Sequence, residues 1–288
     1  MFQSGFTPCN QTFLGDTRAN IVTNLISLLV ANGWTVITTT SATDKVLESG
    51  LTPTGQKVRV HIKDPGSGNC AQILPQRASV GTDITAMWLV PGASSTYRVI
   101  ANPYQFFIFR DGVLPNAREF ACVIVPCCPP GVAALSGDIF FAYCNGTSDS
   151  DTTVNPNPSP VTGPYYWYAG VQIFCIGSNV WSLNNAWSTA GMQIGQMYNT
   201  QQGSYAPWGA MHGMDGSWLT SDFLIGWGLN SGANAQAVGW IWDAVLIYEN
   251  PGPLLGSIRS LPITANGSGH NFFVLGNNLL PALALQVN

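Results

Sequence analysis

Between Asp16 and Gly33 the apolar residues Ile21, Val22, Leu25, Ile26, Leu28 and Leu29 recur at intervals of three and four, with Arg18, Asn20, Thr23, Asn24 and Ser27 mostly opposite them. That period gathers one face of an amphipathic helix. Asp16 or Thr17 is placed to accept from a free backbone N–H of the first turn. Gly33 follows the last periodic residue, where a left-handed glycine commonly closes a helix. The helix is expected over Thr17 to Asn32. At about 1.5 to 3 kcal/mol per fully buried large aliphatic side chain, its stripe is worth about ten kcal/mol of gross burial. The rest of the chain is therefore expected to be organised around it.

Elsewhere the period changes to two. Trp34 to Thr40, Val46 to Leu51, Val58 to Lys63, Ala86 to Val90, Thr96 to Ile100 and Tyr104 to Arg110 alternate or are rich in β-branched and aromatic residues, and they read as strands. Asp64 to Asn69 and Pro91 to Ser95 carry turn residues. Phe120 to Val125 is an apolar strand stopped by Pro126 to Pro130, and Asp138 to Cys144 is another. The stretch from Asn145 to Pro164 is polar and broken by prolines, and it reads as a long projecting loop. Beyond it the pattern becomes aromatic and glycine-rich, with strands such as Tyr166 to Ile176, Phe223 to Trp227 and Val238 to Tyr248. Residues 1–15 mix Phe2, Phe6 and Phe13 with glycine and proline and read as an extended arm that packs on its own domain or on a neighbour. The expected fold class is mainly β (α+β), a β-sandwich or jelly-roll-like body with one N-terminal amphipathic helix packed on it. The expected organisation is an arm over 1–15 and a single body over 16–288, or two packed halves, 16–118 and 119–288.

Composition adds one constraint. Only 8% of the 288 residues are charged, while 46% are apolar; about 25% charge is typical of soluble domains. Such a surface is either covered by neighbouring subunits or kept soluble by Ser, Thr, Asn and Gly. Nine basic residues fall between Arg18 and Arg118, and none follows until Arg259, whereas eight acidic residues lie between Glu119 and Glu249. The second half is thus unsuited to neutralising phosphates, and no nucleic acid is expected as a partner. No apolar run long enough to span a bilayer and no cationic leader is visible, so neither a membrane nor a secretory route is expected. The seven cysteines are odd in number and irregularly spaced, which predicts reduced thiols.

Several clusters invite a chemical reading and do not sustain it. His212, Asp215 and Asp222 place an imidazole near two carboxylates, but the three histidines, His61, His212 and His270, show no ligand or base spacing. Cys122, Cys127, Cys128 and Cys144 lack the paired Cys-x-x-Cys knuckles of zinc sites and read as small hydrophobes. Asp149 and Asp151 lack the glycine and distal glutamate of a calcium loop. Nucleotide-binding and nucleophile-elbow motifs are absent. No catalytic, cofactor-binding or metal-binding residue is assigned, no cofactor is expected, and the chain does not read as an enzyme. Eight tryptophans between Trp167 and Trp242 suit either a core or subunit interface, or a surface that stacks on sugars. Trp240 and Trp242, two apart on a strand, are expected on the same face as Ala244 and Leu246.

Five segments together resemble virion structural proteins of tailed bacteriophages. They are Leu29-Val-Ala-Asn-Gly-Trp-Thr35, Asp44-Lys-Val-Leu-Glu-Ser49, Pro103-Tyr-Gln-Phe-Phe-Ile-Phe109, Val245-Leu-Ile-Tyr248 and Pro253-Leu-Leu-Gly-Ser-Ile-Arg259. The resemblance implies a noncatalytic tail, baseplate or neck component, assembled in the host cytoplasm and located in the virion. Its implied partners are other copies of itself and other phage virion proteins. The alternatives are a carbohydrate-binding, receptor-recognising module of the same particle, for which a host surface glycan is the partner, or a capsid decoration protein.

Overall fold

The structure is a computed structural model that describes residues 8–52, 55–84, 87–111, 120–125, 139–144, 171–176, 179–184, 192–194, 196–199, 204–207, 220–227, 236–247, 258–260, 271–275 and 282–287. Among them is one helix, α1 (Arg18–Ala31), with both ends closed as the sequence predicts. Thr17 is extended (φ −130°, ψ 157°), and its Oγ1 accepts from the Asn20 N–H at 3.1 Å. At the other end Gly33 takes φ 91°, a conformation that costs a Cβ-bearing residue energy. The Gly33 N–H then reaches Val30 O at 3.2 Å and the Trp34 N–H reaches Leu29 O at 3.1 Å, a two-bond closure that satisfies the last carbonyls. Leu29 and Trp34, the residues flanking this closure, are both in the core.

The remaining elements are strands, and the fold is mainly β. The largest sheet, of seven antiparallel strands, contains β1 (Cys9–Leu14), β7 (Thr96–Ala101), β8 (Gln105–Asp111), β9 (Phe120–Ile124), β10 (Ile139–Cys144), β11 (Val171–Ile176) and β12 (Asn179–Asn184) in that spatial order. A five-stranded meander is formed by β2 (Thr35–Ser41), β3 (Asp44–Glu48), β4 (Val58–Lys63), β5 (Ala71–Arg77) and β6 (Met87–Leu89). A six-stranded sheet orders β13 (Met192–Ile194), β16 (Thr220–Trp227), β17 (Gln236–Ile247), β20 (Ala282–Gln286), β19 (Asn271–Leu275) and β18 (Ile258–Ser260). A separate hairpin pairs β14 (Gln196–Asn199) with β15 (Ser204–Pro207).

The seven-stranded sheet is the middle layer. α1 wedges between its β1–β7 end and strands β3 to β5 of the meander, while β6 closes against β9 and β10. Ile21, Val22, Leu25, Ile26 and Leu29 of the helix enter one core with Leu47, Val60, Ile73, Val99, Ile108 and Val123. On the opposite face, Phe109 lies 5.4 Å from Phe273 of the six-stranded sheet, and the Arg98 guanidinium sits 4.6 Å from the centre of the same ring. This explains Phe106-Phe107-Ile108-Phe109. All four are buried, because the middle layer is covered on both sides and a strand there needs no polar face.

A buried polar knot joins the layers at the link between β7 and β8. Asn102 Oδ1 accepts from the backbone N–H groups of Tyr104 and Gln105, both at 2.9 Å, and its amide donates to Asp243 Oδ2 of β17 at 3.0 Å. Its carbonyl accepts from the Trp34 indole N–H at 3.0 Å, and the Gly50 N–H reaches the neighbouring Pro103 carbonyl at 2.8 Å. Helix end, meander, middle sheet and six-stranded sheet therefore meet within a few residues.

One expectation changes, and the residues of two others are now placed. Residues 9–14 of the expected arm are β1, paired along its length with β7 as the edge of the middle sheet. The middle sheet also takes strands from both sides of residue 118. Finally, β17 is bulged: Asp222 opposes Val245 while Leu224 opposes Trp240, and Asp243 within the bulge has φ 55°. Simple alternation from Trp240 to Leu246 is interrupted there, because a bulge resets which residues share a face. The loop expected over 145–164 lies outside the described residues.

Candidate functional site

The outward face of the meander concentrates the described ionisable groups. Alternation in Val58-Arg59-Val60-His61-Ile62-Lys63 buries the aliphatic residues and turns Arg59, His61 and Lys63 outward. Antiparallel register sets Asp44 opposite Lys63, Val46 opposite His61 and Glu48 opposite Arg59. Cross-strand pairs of opposite charge follow directly from this pairing.

His61 is at the centre. Its Nε2 lies 2.8 Å from Asp44 Oδ1, and its Nδ1 lies 2.9 and 3.2 Å from the two oxygens of Asp83. Asp83 comes from the β5–β6 connection, where its backbone bridges to Gln76, and the Gln76 side-chain amide donates to Asp83 Oδ1. Lys63 Nζ stands 4.0 Å from Asp83 Oδ2. A carboxylate thus faces each ring nitrogen. General base catalysis needs one ring nitrogen directed at a substrate, and here neither is. Among the described residues no group of three or more His, Cys, Asp and Glu side chains is disposed to hold a metal ion. In this arrangement the cluster is suited to tying strands together.

One row along, Glu48 accepts from Lys57 Nζ at 2.7 Å and from Arg59 Nε at 2.8 Å. Burial pushes the Glu48 carboxyl up, but the hydrogen bonds and positive charges of Lys57 and Arg59 outweigh it and hold the group below its usual value. A depressed carboxylate stabilises the fold above its unfolded-state value, about pH 4.3. That contribution is lost as pH falls through the lower folded-state value. Glu48→Gln is expected to cost about 0.5 to 1 kcal/mol at pH 7, with the difference from wild type vanishing in urea titrations as the solution is acidified. A difference unchanged at about pH 3, below the ordinary carboxylate range, would show that the ion pairs are not its source.

The clusters weighed from sequence fare differently. Cys122 and Cys144 fall on neighbouring strands, but Cys122 pairs with Tyr143 and Cys144 with Ala121, register positions one step apart that alternate between faces. Asp222 lies in β16 opposite Val245. His212, Asp215, Cys127, Cys128, Asp149 and Asp151 lie outside the described residues. Trp181, Trp227, Trp240 and Trp242 occupy strand positions in β12, β16 and β17. Cys9 and Cys70 are free thiols, and burial pushes that of Cys9 up. Sequence reading missed the Asp44, His61 and Asp83 cluster and the Asn102–Asp243 contact. Alternation in β4 marks the face of His61, but Asp83 is brought to it from a loop by the course of β5.

Compared with protein-family models and with curated proteins, the chain matches none.

Proposed function

We propose that this chain is a noncatalytic structural component of a tailed-phage particle, favoured at the tail, baseplate or neck, that works by assembling with copies of itself and with other virion proteins. The observation that carries the reading is strand β2. It is the outer strand of the meander, and from Ile37 to Ser41 it is exposed on both faces. The strand Thr35-Val-Ile-Thr-Thr-Thr-Ser41 has no charge and no proline. Soluble proteins ordinarily guard a free edge with such residues, since its row of N–H and C=O groups invites another strand. Register shifts between Val36 and Thr38 and between Thr39 and Ser41 bend the strand, and they are the one guarding device it carries. The low overall charge points the same way, because interfaces between permanent partners deplete charge at their centre. The resemblance to phage structural proteins supplies the setting.

Sedimentation tests this. The purified chain is expected to be oligomeric at micromolar concentration. It should stay so, or tighten, when salt is raised to about 1 M, where the Debye length is about 3 Å and ion pairing is screened. A monomer at both low and high salt would defeat the reading, and binding of that monomer to a glycan array would favour the receptor-recognition alternative.

A further inference from the structure

We propose that His61 is a proton-operated latch that fastens the tip of the β2–β3 hairpin, through Asp44, to the β5–β6 connection, through Asp83. An ionised carboxylate only accepts hydrogen bonds, and a neutral imidazole carries a single N–H. With a carboxylate oxygen within 3 Å of each ring nitrogen, both contacts are hydrogen bonds only while the ring is an imidazolium. When the ring gives one proton to water, a nitrogen lone pair is left facing a carboxylate, and that contact opens.

The geometry also points to which end opens. Asp83 faces Nδ1 with both oxygens, receives the Gln76 amide, lies near Lys63, and is bridged to Gln76 through the backbone. Asp44 has His61 as its side-chain partner. Asp83 thus stays anchored whichever nitrogen gives up its proton, and the latch opens by loss of the Nε2 proton, which keeps the remaining N–H on Nδ1 against the two Asp83 oxygens and releases Asp44. Asp44 begins β3 opposite Ser41, at a tip where Ser41 and Ala42 are exposed. Release loosens that tip and leaves the β5–β6 connection in place. The other groups facing the ring are Lys63 on its own strand, Val46 of β3 and Leu74 of β5 in register with it, and the Glu48–Arg59 pair one row away. Among the side-chain types gathered here, imidazole is the one that commonly serves as a proton switch.

Hydrogen exchange of the full chain, corrected for the intrinsic pH dependence of amide exchange, reads both ends at once. From about pH 5 to pH 9, a range that brackets imidazole titration, protection over residues 38–46 is expected to fall about threefold or more, with residues 76–84 unchanged. Asp44→Asn should remove the step while keeping the tip protected, because an amide accepts from an N–H or donates to a lone pair as the ring requires. His61→Gln should leave the tip poorly protected at every pH. Ring nitrogen resonances of the wild type should show the proton on Nδ1 on the alkaline side. Protection of 38–46 that does not change with pH in the wild type, a loss confined to 76–84, or a proton found on Nε2 would each overturn the latch.

Discussion

Soluble expression is expected to be lost when Leu25 is replaced by aspartate. Leu25 is fully buried where α1 wedges between the middle sheet and the meander, among the core residues of three elements. An unpaired carboxylate there faces no donor, and burying such a charge costs several kcal/mol even after it neutralises. The lost contacts of the leucine add about 2 to 5 kcal/mol, the range of a buried leucine cut to alanine. Together these approach or exceed the net stability of an ordinary domain, about 5 to 15 kcal/mol. Leu25→Ala should therefore fold with a lowered urea midpoint, and Leu25→Asp should not accumulate as soluble protein. Normal yield and melting for the aspartate variant would show that the helix is not what the layers are built on.

A loss of about 3 kcal/mol or more is expected for Asn102→Ala, large for one short side chain. Removing the amide strips the acceptor from two backbone N–H groups, those of Tyr104 and Gln105, and a donor from the buried Asp243 carboxylate. A hydrogen bond between neutral groups is worth about 0.5 to 1.5 kcal/mol net, and one to a charged group about 1.5 to 3. Asn102→Asp separates the two roles. It keeps an oxygen for both N–H groups but sets a second carboxylate about 3 Å from the first, the Asn102–Asp243 spacing being 3.0 Å, so it should be destabilised through repulsion of Asp243 alone. Urea unfolding of the two variants would measure both effects. An alanine variant within about 1 kcal/mol of wild type, the size of a single ordinary hydrogen bond, would mean that the turn and Asp243 are held by other groups.

The Asn102 knot also marks how far sequence reading reaches. The strands on either side of it, Thr96 to Ile100 and Tyr104 to Arg110, are evident from their β-branched and aromatic content and leave only a short turn between them. That the turn would touch Trp34, Gly50 and Asp243 is not written locally. Trp34 and Asp243 stand 68 and 141 residues from Asn102, and Gly50 stands 53 residues from Pro103. β5 is a related case. Pro75 argues against a strand in sequence, yet it is accommodated because β6 pairs only with Ala71, Gln72 and Ile73, and beyond them the β5–β6 connection meets Pro75 through its carbonyl, which accepts from the Ile84 N–H at 3.1 Å and makes no use of the N–H that proline lacks.

By itself the sequence determined α1, its two caps and the mainly β character, because each depends on interactions three or four residues apart or on a period of two. It also determined that Arg59, His61 and Lys63 share a polar face. Only the tertiary structure decided that residues 9–14 complete the middle sheet, that Phe106 to Phe109 are buried on both sides, that Asp243 turns left-handed in a bulge, and that His61 stands between two carboxylates. Each of these depends on which distant segment covers a surface or meets an edge. The free energy of that choice is distributed over many contacts between layers and is encoded in no single stretch of the chain.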